Sequence, residues 1–217
     1  MAAHDQASAR RIVAVGYDQI AESYPEWASR VHGRAREHYT QVLLDRLPDG
    51  AAVLDLGCAT GELLTKQLAE RFTVTGVDIS PRQIELAKQR IPRATFIHAD
   101  MTELELPLES FDAVAAFYSL THVPREEVAP LLRAIYPWLR PGGLFVASLG
   151  AGDDPGGVEE DWLGVPMYFS AFDSATSRQL VEDAGFEILS AQEEADDEDG
   201  MRIVFLWVVA RKPDNSS

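Results

Sequence analysis

The chain is short of cysteine, of bases and of long apolar runs. Its single cysteine, Cys58, excludes an internal disulfide and any cysteine-built zinc cluster. Its 19 Lys and Arg stand against 35 Asp and Glu, a formal net charge of −16. Phosphate binding needs clustered bases, so nucleic acid is excluded as the main partner. No apolar run approaches the roughly 20 residues of a membrane helix. The start, Met1-Ala-Ala-His-Asp-Gln6, lacks the charged-then-apolar order of a secretory signal. These absences predict a cytoplasmic protein that engages neither membrane nor nucleic acid. Bases are scarcest over residues 151–200, where 15 acids accompany one base, Arg178. Such a run predicts a solvated face first, and attraction of a cationic substrate or a partner surface second.

What is present is ordinary globular material: 217 residues, 46% of them hydrophobic, enough for one domain with a sizeable core. Residues 10–46 read as helices with a turn near Tyr24-Pro25, and the first ten and last five residues read as loose ends. From Ala51 strands and helices alternate. Strands at 53–56, 73–77, 94–98, 111–117 and 144–149 are interleaved with helices at about 61–71, 81–90 and 125–138. That alternation predicts a parallel sheet with helices on both faces. A loop over about 150–172 and a helix at about 174–184 follow. Strands 186–191 and 202–210, joined through Glu193–Gly200 with no helix between them, then make an antiparallel pair. Ser80-Pro81 predicts a helix cap with proline in the first turn, and Gly185 a left-handed helix end.

The chemistry gathers at the strand ends. Val53-Leu-Asp-Leu-Gly-Cys-Ala-Thr-Gly61 is an apolar strand carrying one acid, Asp55, that breaks into a loop of small residues before a helix. Small residues let a ligand lie against the backbone, and a carboxylate beside them suits a hydroxylated, cationic ligand rather than a phosphate. In open α/β sheets ligands sit at the carboxyl ends of the strands. There the chain places Asp78, suited to ribose hydroxyls. Next comes Ala99-Asp100-Met101, suited to an adenine amine, with Ile79 and Met101 covering the ring. After the fourth strand come Tyr118, Ser119 and His122. Each alone is a cap or a turn residue; together they predict a nucleoside site. The dinucleotide pattern Gly-x-Gly-x-x-Gly is not met, because position 59 is Ala and position 62 is Glu.

The set Val53–Gly61, Val77-Asp-Ile-Ser80, Ala99-Asp-Met101, Phe111-Asp-Ala-Val114 and Leu139-Arg-Pro-Gly-Gly143 resembles the class I S-adenosylmethionine-dependent methyltransferases, of the small-molecule type. The resemblance covers about residues 12–210. It implies a Rossmann-like α/β fold: a seven-stranded, mostly parallel sheet, an antiparallel last strand, helices on both faces and an N-terminal helical lid. The single domain over 1–217 would divide into that lid (1–46), a cofactor-binding core (51–149), a substrate-side loop (150–173) and a closing helix and strand pair (174–212). It implies S-adenosyl-L-methionine as cofactor. Asp55, Gly57, Cys58, Ala59 and Gly61 would line its methionine and ribose, and Asp78 would bind the ribose hydroxyls. Ile79 and Gln83 would lie beside the adenine, and Asp100 and Met101 at its edge. Tyr118 and Ser119 would sit near the ammonium or sulfonium. Tyr17 and Tyr24, in Tyr17-Asp-Gln-Ile-Ala-Glu-Ser-Tyr24, are similar to lid tyrosines that close over the methionine part. Ala59 departs from the family's middle glycine.

For the acceptor, His122 is the candidate base, with a purely structural role as the alternative. His32 and His38 read as surface residues. Trp162, Met167, Tyr168 and Phe169 would form an apolar wall for a small acceptor, with packing onto the core as the alternative. No metal-ligand spacing is present. The expected reaction is methylation of a small molecule at a hydroxyl oxygen, by a monomer or homodimer. The rival readings are a small-molecule N-methyltransferase and a non-catalytic S-adenosylmethionine-binding domain.

Overall fold

A computed structural model describes residues 6–214. Two helices, α1 (Gln6–Ile20) and α2 (Tyr24–Arg46), precede the alternating region. Pro25 stands in the first turn of α2, where its missing N–H costs nothing. Then come β1 (Ala52–Leu56), α3 (Thr65–Leu68), β2 (Thr73–Asp78), α4 (Pro81–Arg90), β3 (Thr95–His98), β4 (Phe111–Ala116), a short 3-10 turn (Leu120–His122), α5 (Arg125–Trp138) and β5 (Leu139–Gly150). The chain continues through β6 (Asp154–Trp162), β7 (Val165–Ala171), α6 (Ser174–Asp183), β8 (Glu187–Glu198) and β9 (Met201–Arg211).

Seven strands form one sheet in the order β3-β2-β1-β4-β5-β9-β8. β9 alone runs against its neighbours, lying between β5 and β8, so the chain's last strand is the antiparallel one. The order reverses between β1 and β4, which puts their tips side by side. Strand period two sorts the core. Leu54, Leu56, Val114 and Ala116 face Leu131, Leu132 and Ile135 of α5. Val53, Ala113 and Ala115 face Tyr39 and Leu43 of α2.

Several elements depart from expectation. Residues 150–172 are not a loop but contain the β6–β7 hairpin. Its turn residues Leu163 and Gly164 both have positive φ (53° and 84°), as a two-residue hairpin turn requires. β8 extends well past its expected end to a second tight turn at Asp199-Gly200 (φ 53° and 94°), while β9 matches the expected strand to within one residue at each end. The helix expected at 61–71 shrinks to Thr65–Leu68, because Gly61 takes φ 75°, which no helix continues. Of the expected loose ends, residues 1–5 and 215–217 lie outside the described residues, whereas 6–10 are helical. Ser80 caps α4 by accepting from the Gln83 amide, and Gly185 has φ 103°, both as expected.

Helix α1 crosses back over the strand tips, packing on β7 and α4. Its Ala9, Val13 and Ile20 join Tyr24, Val165 and Met167 in a separate apolar cluster. Gly16 lets the helix approach β7 closely: an added Cβ would stand 2.8 Å from Met167 Cε and 3.0 Å from the Pro166 carbonyl. Gly16→Leu should therefore lift α1 off the hairpin while the sheet stays intact. Limited proteolysis should cut α1 faster with an unchanged β-sheet circular dichroism signal; an unchanged cleavage rate would contradict this packing.

Candidate functional site

The tips of β1, β2, β3 and β4 line a cavity that is partly open to solvent. Its wall includes Gly57, Ala59, Asp78, Ile79, Asp100, Met101, Tyr118, Ser119 and His122, with Tyr17 and Tyr24 above. Eleven of the residues expected from sequence thus converge. The loop after β1 is held down by amides of Gly57 and Cys58 donating to the Val77 carbonyl (2.8 and 3.0 Å). Ser119 donates to the Leu56 carbonyl (2.7 Å), closing β1 against β4. A Cβ on Gly57, at φ 80°, would fall 2.4 Å from Ser119 Cβ, so only glycine fits. Two non-glycine residues on these adjacent tips, Ala59 and Tyr118, have φ of 49° and 60°. Left-handed backbone costs about 1–2 kcal/mol per residue, and such strain clusters at functional sites.

Asp78 is the polar centre. Its Oδ2 accepts from the Ala59 amide and its Oδ1 from the Ser80 amide, both at 2.9 Å. Burial pushes its carboxyl up to about 6, against the pull of those two amides. Each oxygen keeps a lone pair beyond its amide bond. At one end of the cavity Asp100 accepts from the Thr102 amide and hydroxyl (both 2.8 Å) and pairs with Arg10 Nε (3.1 Å). Arg10 also binds Glu103 and Glu127. The sequence reading missed Arg10, although Arg10, Val13 and Tyr17 share one face of α1.

At the other end Tyr17 donates to His122 Nε2 (2.8 Å) and meets Tyr24 edge-on at 5.1 Å. His122 Nδ1 lies 2.9 Å from the Tyr168 carbonyl. A carbonyl only accepts, so Nδ1 carries the proton and Nε2 presents its lone pair. Burial lowers the imidazole to about 4. The Tyr17 phenol is pushed well above its ordinary range, chiefly by burial, so it stays protonated and donates.

Other expected residues stand off this wall. Asp55 is buried behind the loop, accepting from the Thr65 hydroxyl (2.5 Å), with its carboxyl raised to about 6 by burial. Cys58 points down onto Gly76, and burial raises its thiol well above the usual range. Gly61 packs toward Ile91. Gln83 is wholly buried with neither amide atom bonded. Met167 is core, and Tyr168 offers its carbonyl rather than its ring. Trp162 and Phe169 stack around Tyr17 and His122. They also wall a second, open cavity between the β6–β7 hairpin and the face of β8 and β9. Thr121 lines that outer cavity and the adjacent His122 the inner one.

His38 is exposed, as expected, but His32 is buried: it stacks on Tyr118 at 3.9 Å and pairs with Glu198 at 2.9 Å. Part of the acidic run is therefore not a free face. Asp196 accepts from the Tyr118 hydroxyl, and Asp199 binds Trp27 and Arg30. Among the described residues no cluster could hold a metal ion, and no helix is long and apolar enough to cross a membrane.

Residues 53–143 match the family model for a methyltransferase domain. The 27-O-demethylrifamycin SV methyltransferase of Amycolatopsis mediterranei is 33% identical over 168 residues, which cover 67% of this chain and 61% of that protein. The chain spans about three fifths or less of the length of the curated relatives it matches. An S-adenosylmethionine-dependent methyltransferase from Mesorhizobium loti has a similar structure, with a TM-score of 0.66 and 26% identity, covering 79% of this chain and 96% of its own. The Burkholderia thailandensis 1,6-didemethyltoxoflavin-N1-methyltransferase, solved with bound 1,6-didemethyltoxoflavin and S-adenosylhomocysteine, shares the fold. Its TM-score is 0.73 at 23% identity, covering 99% of this chain and 92% of its own.

The neutral, buried state of His122 carries a stability signature. An unfolded histidine protonates near 6.5 and the folded one near 4. Between those values the unfolded chain binds more protons, so this group's contribution is full above about pH 6.5 and fades as pH falls toward 4. His122→Gln should erase that slope: denaturant melts of variant and wild type should converge as pH drops from 6.5 to 4. A constant difference across that window would contradict a neutral buried imidazole.

Proposed function

Because the chain belongs to the class I S-adenosylmethionine-dependent methyltransferases, we propose that it moves a methyl group from S-adenosylmethionine to a small-molecule acceptor, at a hydroxyl oxygen. The residues present suit the cofactor. Asp78 keeps lone pairs for two ribose hydroxyls, and Gly57 lines the same cavity. When bound, the cofactor supplies a methyl on a sulfonium, a leaving group that needs no activation. The chain's task is then alignment, exclusion of water and acceptance of a proton.

The observation that carries the hydroxyl reading is the fixed tautomer of His122. Its Nε2 lone pair faces the cavity and already takes a phenol, that of Tyr17. An acceptor hydroxyl replacing Tyr17 would donate to the same nitrogen and be held by it. As the acceptor oxygen takes the methyl and the sulfonium's carbon–sulfur bond breaks to leave a neutral thioether, Nε2 would accept the hydroxyl proton and the Tyr168 carbonyl would support the imidazolium through Nδ1–H. A base held near 4 suits an acidic hydroxyl, phenolic or enolic, better than an alcohol. The relative named for 27-O-demethylrifamycin SV fits an oxygen acceptor. The acceptor would enter through the outer cavity, with Trp162 and Phe169 as its aromatic wall.

A second reading, N-methylation of a small amine, draws on that cavity's acids, among them Asp154, Glu159 and Glu193. The structural neighbour named as an N1-methyltransferase is in keeping with it.

Asp78→Ala should weaken S-adenosylhomocysteine binding by about 1–3 kcal/mol in calorimetry, the value of hydrogen bonds to a charged acceptor. Wild-type affinity should hold above about pH 6 and fall below it, as the carboxylate protonates; a flat profile and an unaffected variant would remove the ribose role. His122→Ala should lower turnover while leaving S-adenosylhomocysteine affinity intact, read by one-methyl mass gain on a panel of phenols and amines. Binding without turnover on either class would favour the silent domain.

A further inference from the structure

Arg10 of α1 and Asp100 after β3 both line the cavity, at the end away from the Tyr17–His122 contact. Two of their atoms, Arg10 Nε and Asp100 Oδ2, are buried without a hydrogen-bond partner. They stand 3.1 Å apart as an ion pair, but the Nε–H does not aim at the oxygen. Leaving a buried donor and a buried acceptor unbonded is costly, because each has given up water for no hydrogen bond.

The other polar atoms of the pair are committed. Arg10 Nη1 donates to Glu103 (2.5 Å) and Nη2 to Glu127. Asp100 Oδ1 accepts from both the amide and the hydroxyl of Thr102. These bonds fix the guanidinium and the carboxylate and leave Nε and Oδ2 for another partner. A flat group with a donor and an acceptor side by side fits them. Adenine carries such a pair on either side of its amine: the amine donates and the neighbouring ring nitrogen accepts. An Asn or Gln side chain reads that pair in DNA with the oxygen and nitrogen of one amide. Here the oxygen and the nitrogen come from two side chains on two elements. A base entering between them parts a contact that is already misaligned and gives each atom its missing partner.

We propose that Arg10 and Asp100 read the base together: Oδ2 takes the amine, and Nε–H donates to the ring nitrogen beside it. Arg10 is then a specificity-determining residue carried by the covering helix. This rests on the adenosyl reading of the cavity. Half of the recognition edge travels with α1, so the base is read in full only while that helix is docked.

Calorimetry with S-adenosylhomocysteine and three analogues tests the idea. The 1-deaza and 7-deaza forms each replace one ring nitrogen beside the amine by C–H, and the 6-deamino form lacks the amine. Wild type should bind one of the deaza forms about 10- to 100-fold more weakly than S-adenosylhomocysteine, the value of a hydrogen bond from a charged donor. Arg10→Met should close that gap, binding both at about the wild-type affinity for the deaza form. The 6-deamino form should stay weaker than S-adenosylhomocysteine in both proteins. Thermal melts report whether the variant folds, and the wild-type comparison needs no variant. Equal wild-type affinity for any two-way comparison of S-adenosylhomocysteine with both deaza forms, or with the 6-deamino form, overturns the shared reading of the base. A deaza gap that survives in Arg10→Met, or an amine gap that Arg10→Met closes as well, overturns the role of Arg10 alone. Failure of S-adenosylhomocysteine to bind wild type overturns the adenosyl reading together with it.

Discussion

The Asp78 carboxylate organises the site by accepting two backbone amides at once. One belongs to Ala59, in the loop after β1, and the other to Ser80, at the cap of α4. A buried, partly desolvated carboxylate is tolerated there because both amides point at it, and their geometry in turn depends on it. The tight contact of Gly57 with Ser119 then sets the distance between the β1 and β4 tips. Ser80 passes the constraint outward by donating to Asp18 of α1 (2.5 Å), so the same acid fixes where the covering helix lands.

That helix is held by unlike contributions. Arg10 meets three acids, but it is a quarter exposed, and exposed pairs contribute about 0–1 kcal/mol each. The apolar contacts of Ala9, Val13 and Ile20 are fully desolvated and carry the docking. Tyr17 is both: its ring sits among Tyr24, Trp162 and His122, and its hydroxyl holds the one free lone pair of the imidazole. A covering element of this kind can exclude water and still be displaced by a ligand that offers the same hydroxyl.

The sheet was legible because its strands and helices alternate with clear punctuation, and because the acids at successive strand ends are separated by whole elements. Ser80-Pro81 and Gly185 marked their boundaries through local backbone physics. The β6–β7 hairpin was not legible: its turn is Leu163-Gly164, and leucine rarely takes a left-handed conformation, so the local signal was weak. The second hairpin carried a stronger signal, Asp199-Gly200, that the acid-rich flanks obscured. For the site, sequence placed the strand-tip residues, which depend on local order. It did not place Arg10 or His32, whose roles depend on how α1 and α2 return across the sheet. A buried histidine stacked on a tyrosine looks the same in sequence as an exposed one.

The reading of the cavity stands or falls on which nucleoside it admits. Calorimetric titration of the wild-type chain with S-adenosylhomocysteine and, separately, with NAD decides it. One-to-one binding of the first with no detectable heat from the second is the predicted result. Saturable binding of NAD, with none of S-adenosylhomocysteine, would contradict the assignment of Asp78 and the loop after β1.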